Sequence, residues 1–203
     1  MRALPPDPIA AAPSPSRIRN LPNALTLLRL LLVPVFGWLL LRDGGQDTTS
    51  RVAAFVVFVA ATATDYLDGA LARRRSLVTT FGKIADPIAD KALMGMALVG
   101  LSMLGELPWW VTIVILVREV GVTLLRFWVI RHGVIAAGRG GKLKTALQAV
   151  AISLYLLPLT GPMATLRAWV MAAALVVTVV TGLHYVVKAV RLRRTPISRT
   201  AAA

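Results

Sequence analysis

Apolar residues fall in six runs, each close to the ~20 residues that cross a hydrocarbon core of about 30 Å as an α-helix. The runs lie at about 21–42, 52–72, 84–104, 108–130, 143–160 and 166–190. Between them stand Asp43-Gly44-Gly45, Gly105-Glu106-Leu107-Pro108, Gly138 to Gly141 and Gly161-Pro162, which carry turn chemistry. The pattern predicts an all-α integral membrane protein of six transmembrane helices in one domain, residues 17–192. Residues 1–16, rich in Pro, Ala and Ser and without periodicity, are expected to form a disordered tail. They make a poor signal peptide, because no apolar stretch follows Arg2. Residues 193–203 form a short basic tail. No internal repeat is evident, so an inverted-repeat transporter finds no support.

Polar residues break this pattern at a few places only. Asp65 and Asp68 fall at the end of the second run, Asp86 and Asp90 at the start of the third. Spacings of i,i+3 and i,i+4 put each pair on one helix face. A solvated helix face is the usual setting for such charges, but these are embedded in apolar sequence. Carboxylates at membrane depth cost several kcal/mol, at order of magnitude, and mark functional sites by default.

Composition sharpens the reading. Of 203 residues, 57% are hydrophobic and 16% charged, and the mean hydropathy is +0.71; a soluble domain carries about a quarter charged residues. With no cysteine, disulfides and thiolate chemistry are excluded, leaving carboxylates, hydroxyls, basic groups and two histidines.

The net charge of +14 is concentrated on one side. Basic residues cluster at the N-terminus (Arg2, Arg17, Arg19), between runs two and three (Arg73, Arg74, Arg75, Lys83), between runs four and five (Arg131, Arg139, Lys142, Lys144) and at the C-terminus (Lys188, Arg191, Arg193, Arg194, Arg199). The opposite loops hold Arg42, Arg51 and Arg167. The positive-inside rule then places both termini in the cytoplasm, and the four aspartates near the cytoplasmic face of the cell membrane. In such a chain the cations set orientation and meet anionic membrane lipids. Nucleic acid is not an expected partner, because no long soluble basic segment with interleaved aromatics exists.

Four close carboxylates repel unless cations lie between them or some stay protonated. Hard divalent ions with oxygen ligands fit that need. Two such ions about 4 Å apart clamp a phosphoryl group in in-line displacement, and a carboxylate with an open side can take the proton of an attacking hydroxyl. Gly69 and Ala72 leave one flank of Asp68 without bulk, and Arg73 offers a fork for phosphate oxygens. Small residues alone would indicate simple helix packing. A magnesium or proton carrier could also use intramembrane carboxylates, but would leave Gly69, Ala72 and Arg73 unexplained.

The string Asp65-x-x-Asp68-Gly69-x-x-Ala72-Arg73, eight residues, then Gly82-x-x-x-Asp86-x-x-x-Asp90 resembles the signature of the CDP-alcohol phosphotransferase family without a departure. The resemblance covers about residues 20–190 and implies that family's six-helix membrane fold. It implies that Asp65, Asp68, Asp86 and Asp90 ligate two Mg2+ (or Mn2+) ions, and that Asp90 also serves as general base. It further implies that Gly69, Ala72 and Arg73 contact the CDP part of the donor, with Thr79 as a hydroxyl partner, and that the chain acts as a homodimer.

Three further stretches resemble the phosphatidylglycerophosphate synthase branch, whose substrates would be CDP-diacylglycerol and sn-glycerol 3-phosphate. Leu21-Pro22-Asn23-Ala24-Leu25-Thr26 opens the first span, where Asn23 and Thr26 would help bind the CDP-lipid; it also reads as an ordinary helix start. Arg118-Glu119 to Arg126 lies on the fourth span. Glu119, Thr123 and Arg126 share a stripe, with Arg118 turned about 80° away. Arg118 and Arg126 are candidates for the acceptor's phosphate, while Glu119 suits an ion pair with an arginine inside the bundle equally well. Gly141-Lys142-Leu143-Lys144 opens the fifth span, where Lys142 and Lys144 are further phosphate candidates or plain positive-inside anchors. Other acceptors, inositol phosphate or phosphatidylglycerol, would share the aspartate motif. Lys91 would tune the metal site or compensate charge; His132 and His184 are expected to be structural, and Trp109-Trp110 an interfacial anchor.

Overall fold

The computed structural model describes residues 21–75, 80–129 and 139–194. The expected tail over residues 1–16, Thr79, His132 and the chain beyond Arg194 lie outside the described residues. Six α-helices follow one another: α1 (Leu21–Leu41), α2 (Thr48–Arg75), α3 (Thr80–Met103), α4 (Trp109–Val129), α5 (Arg139–Leu156) and α6 (Pro162–Arg194). A short 3-10 corner, Arg42–Gly45, joins α1 to α2 and turns through positive φ at Asp43 (51°) and Gly44 (63°). Among the described residues there is no strand.

Helix starts differ from the apolar runs for local reasons. α2 begins four residues early because Asp47 caps it. The carboxylate accepts the backbone N–H groups of Thr49 (3.2 Å) and Ser50 (3.0 Å) and the Ser50 hydroxyl (2.6 Å), satisfying donors that a first turn leaves open. The Ser50 hydroxyl and N–H hold the Asp47 carboxyl below the usual carboxylate range. α5 takes Gly140 and Gly141 into its first turn. α6 starts on Pro162, whose fixed φ and missing N–H suit a first helical position. It runs two residues into the expected C-terminal tail.

The core is a continuous apolar stripe from α1 to α6. Phe36 and Leu40 of α1, Phe58 of α2, Leu98 and Leu101 of α3, Ile115 of α4, and Ile152 and Leu156 of α5 are fully or almost fully buried. The rings of Phe36 and Phe58 lie 5.8 Å apart and tilted by 42°. α1 and α3 run parallel at close range: Met96 lies against Gly37, and Leu40 reaches the backbone at Gly100. Glycine leaves room there for these flexible side chains, as small-residue packing in membranes generally does.

The outside of the bundle is as apolar as the inside. Trp169 (71% exposed), Val117, Leu183, Leu124, Leu31 and Trp38 all point outward, a surface that a water-soluble monomer rarely carries. Trp109 and Trp110 open α4 and are exposed. Among the described residues one helix is long and apolar enough to cross a membrane on its own terms, Pro162–Leu192 of α6. In α2, 13 uncharged residues, 52–64, separate Arg51 from Asp65.

Candidate active site

Asp65 and Asp68 lie in the last three turns of α2, and Asp86 and Asp90 in the first three turns of α3. The two helices are consecutive, separated by residues 76–79, and touch. Both acidic pairs therefore stand at the same end of consecutive helices. The side chains of all four aspartates, and of Ala72, Arg73, Asn23, Thr26 and Arg126, lie outside the described ones, as does Thr79. Their backbone positions still locate them. Gly69, Ala72 and Arg73 continue the end of α2, and Arg126 lies in the last turn of α4. Gly37 opposes Met96 and Leu40 opposes Gly100; the same parallel register carried back along α1 sets Thr26 level with Asp86 and Asn23 level with Lys83. The donor-lipid candidates on α1 thus share a level with the acidic turns of α3.

Directly beside the last aspartate sits a polar junction of four helices. Glu119 of α4 is its hub. Glu119 Oε1 accepts from Lys144 Nζ of α5 at 2.6 Å and from Arg118 Nη1 at 2.9 Å, and Oε2 from Lys91 Nζ of α3 at 3.4 Å. Lys91 also reaches the Glu119 carbonyl at 3.3 Å. Arg118 extends the junction into α6, with Nε donating to the Thr178 carbonyl (3.1 Å) and Nη2 to Thr181 Oγ1 (2.9 Å). Room for that guanidinium depends on Gly182, where a Cβ would lie 2.9 Å from Arg118 Cγ. Gln148 of α5 donates to Thr178 Oγ1 at 3.0 Å.

The ion pair considered for Glu119 is thus present, and three cations share it. Lys144 is buried, whereas Lys142 is exposed. Of the four acceptor-phosphate candidates, Arg118 and Lys144 meet at one carboxylate; Lys142 is not brought to it. Lys91, which sequence reasoning left between metal tuning and charge compensation, pairs across helices with Glu119. Thr123, on the Glu119 stripe, spends its hydroxyl on the Glu119 carbonyl at 2.8 Å. His184 is exposed on α6.

Tyr185 lies one turn beyond Thr181. Its hydroxyl is buried and takes no hydrogen bond among the described residues. An unpaired buried hydroxyl costs roughly 1–3 kcal/mol. Replacing Tyr185 by Phe should therefore leave thermal stability in detergent unchanged or raise it; a clear drop in the unfolding midpoint would show that the hydroxyl is bonded.

A second charged cluster, at the opposite end of the bundle, was not foreseen. Glu106, in the turn between α3 and α4, takes Arg51 of α2 on Oε1 and Arg167 of α6 on Oε2, the latter at 3.1 Å. Arg51 is buried and also donates to the carbonyls of Tyr155 (2.6 Å), Leu156 (3.3 Å) and Gly45 (3.4 Å). The Arg167 guanidinium stacks over the Tyr155 ring at 4.7 Å. This clasp closes four elements around helix ends whose carbonyls would otherwise lack donors. No short-range sequence signal marks it.

Comparison with known proteins agrees with the geometry. Residues 19–180 match the family described as CDP-alcohol phosphatidyltransferase. A protein of Mycobacterium tuberculosis (strain H37Rv) named "Probable phosphatidylglycerophosphate synthase" is 57% identical over 176 residues, covering 87% of this chain and 84% of its own. The Bacillus subtilis (strain 168) "CDP-diacylglycerol--glycerol-3-phosphate 3-phosphatidyltransferase" is 40% identical over 182 residues, covering 82% and 93%. A Streptomyces coelicolor "Cardiolipin synthase (CMP-forming)" is 38% identical over 117 residues, covering 58% and 54%. The matched stretch contains both acidic pairs and the Glu119 junction, and this chain belongs to the CDP-alcohol phosphatidyltransferase family.

Proposed function

We infer that this chain is a phosphatidyltransferase that moves the phosphatidyl group of CDP-diacylglycerol onto sn-glycerol 3-phosphate and releases CMP. The observation that carries this reading is the family's full acidic spacing, set on the facing termini of the consecutive helices α2 and α3 in chain order, in a chain 57% identical to a protein named as such a synthase. The cardiolipin-synthase alternative rests on a relative that aligns over a shorter part of the chain.

Six spans with both termini in the cytoplasm account for the basic asymmetry and the apolar outer surface, and set the acidic helix ends at the cytoplasmic face. The donor set is all carboxylate in a chain without cysteine, which suits a hard divalent ion such as Mg2+ or Mn2+. Asp65, Asp68, Asp86 and Asp90 would hold two such ions, whose chemistry when bound is neutralisation of charge on the phosphoryl oxygens. Gly69, Ala72, Arg73 and Thr79 would receive the CDP moiety, with Asn23 and Thr26 on its lipid side. Asp90 takes the proton of the acceptor hydroxyl as its oxygen bonds the phosphorus that bears diacylglycerol. The bond from that phosphorus to CMP breaks, and CMP leaves. Arg118, Arg126, Lys142 and Lys144 would supply positive charge to the acceptor's phosphate. The chain would act as a homodimer, which cross-linking in native membranes checks.

Membranes holding the protein, supplied with magnesium, CDP-diacylglycerol and radiolabelled glycerol 3-phosphate, should form labelled phosphatidylglycerophosphate. Absence of a product dependent on the CDP-lipid would remove the reading. Acceptor competition with inositol phosphate and phosphatidylglycerol separates the family alternatives. Arg126→Ala should raise the KM for the acceptor about tenfold, the scale of one charge-assisted contact, and move the donor's KM far less. An effect confined to the donor would refute its place at the acceptor.

A further inference from the structure

The Glu119 junction holds more positive charge than it neutralises. Lys91, Arg118 and Lys144 share one carboxylate, so these four side chains carry a surplus of two positive charges. Lys144 is 6% exposed, and the side chains of Arg118 and Glu119 are 15% and 19% exposed. Surplus charge at that burial is costly unless an anion meets it. Donors are left over as well. An ammonium has three N–H groups and a guanidinium five; Lys144 spends one and Arg118 three among the described residues.

Geometry links the junction to the chemistry. Lys91 follows Asp90 directly on α3, so the junction stands at the depth of that aspartate. The three cations come from α3, α4 and α5, and Arg118 is tied further to α6. Three like charges would repel one another apart; the carboxylate between them fixes their separation.

We propose that Glu119 is a positioning residue that holds Lys91, Arg118 and Lys144 as a preorganised site for a doubly charged phosphomonoester, and so sets selectivity against singly charged phosphodiester acceptors. The proposal rests on the transferase reading above. A phosphomonoester carries close to two negative charges at neutral pH, matching the surplus, whereas a diester carries one. Preorganised cations lose little order when the anion arrives, which is how such a site gains affinity. The same arrangement explains why the carboxylate is retained in a site for an anion: it orders the donors and leaves the required charge in excess.

The test uses the full chain in membranes and compares sn-glycerol 3-phosphate with its methyl phosphodiester. The wild type should prefer the monoester by about tenfold or more in kcat/KM, since one charge-assisted contact is worth that factor. Glu119→Gln should raise the monoester's KM about tenfold, narrow the preference between the two esters, and leave the KM for CDP-diacylglycerol within about twofold. Glu119→Asp should restore part of the preference. Equal changes in both substrates' KM, no change in either, or a lower acceptor KM in Glu119→Gln would overturn the proposal. Should Glu119→Gln fail to fold, Lys91→Gln replaces it; its side chain is 36% exposed and its loss leaves the buried pairs intact. It should raise the acceptor's KM about threefold and the donor's not at all; equal values for variant and wild type would overturn the proposal. A wild type that forms no phosphatidylglycerophosphate defeats the transferase reading, while one that forms it without preference between the esters defeats only this inference.

Discussion

Asp90→Asn should abolish turnover, by about 10²–10⁴-fold or more, while CDP-diacylglycerol still binds. The substitution keeps size and removes both the charge and the basic lone pair. General-base catalysis by a placed side chain contributes roughly 10²–10⁴, and in the proposed two-metal site the lost carboxylate would add to it. In the function proposed above the donor is held by Gly69, Ala72, Arg73 and the two aspartates of α2, which the variant leaves in place. The measurement is a pair: rate of CMP release in membranes, and retention of labelled CDP-lipid by the purified variant. Substantial activity in Asp90→Asn would remove its assignment as base. Loss of donor binding together with activity would show that residue 90 serves the nucleotide and not the acceptor's proton.

Glu106→Gln should destabilise the fold by about 3 kcal/mol, the lower part of the range for removing one partner of a buried charged pair. Arg51 would keep its charge, buried among the carbonyls of Tyr155, Leu156 and Gly45, with no anion to meet it. Arg167 would lose its pairing but keep the Tyr155 ring. The loss should appear as a lower unfolding midpoint in detergent, with the KM of either substrate unchanged, because the clasp lies at the opposite end from the acidic turns. A double variant, Arg51→Met with Glu106→Gln, should recover part of the stability, since an apolar replacement of the whole pair avoids the stranded charge. An unchanged midpoint in the single variant would show that the clasp is solvated and adds little.

These two predictions draw on opposite kinds of information. The acidic motif was legible because its members lie close in sequence: i,i+3 and i,i+4 spacings translate directly into shared helix faces, and the helices formed where the apolar runs predicted them. α1 at Leu21–Leu41 and α4 at Trp109–Val129 fall within a residue of the expected runs. The clasp was not legible. Arg51, Glu106 and Arg167 are separated by 55 and 61 positions and sit singly in turns or at helix edges, where a charged residue normally faces water. Their meeting depends on how α2, α5 and α6 pack, which no local pattern states. Glu119 lies between these cases. Its partner Arg118 is its neighbour, so an ion pair was foreseen; Lys91 and Lys144 arrive from two other helices and turn a pair into a junction. Helix starts were missed by about four residues wherever a polar cap or proline, and not the apolar run, fixed the first turn, as at Asp47 and Pro162.

The short uncharged stretch of α2 has a consequence for the surrounding lipid. Arg51 and Asp65 enclose 13 residues, about 20 Å of helix at 1.5 Å per residue, roughly 10 Å short of a typical hydrocarbon core. In the six-span arrangement proposed above, the leaflet would dip beside α2 or admit water there. A lipid headgroup could then sink to the depth of the carboxylates without its acyl chains leaving the bilayer.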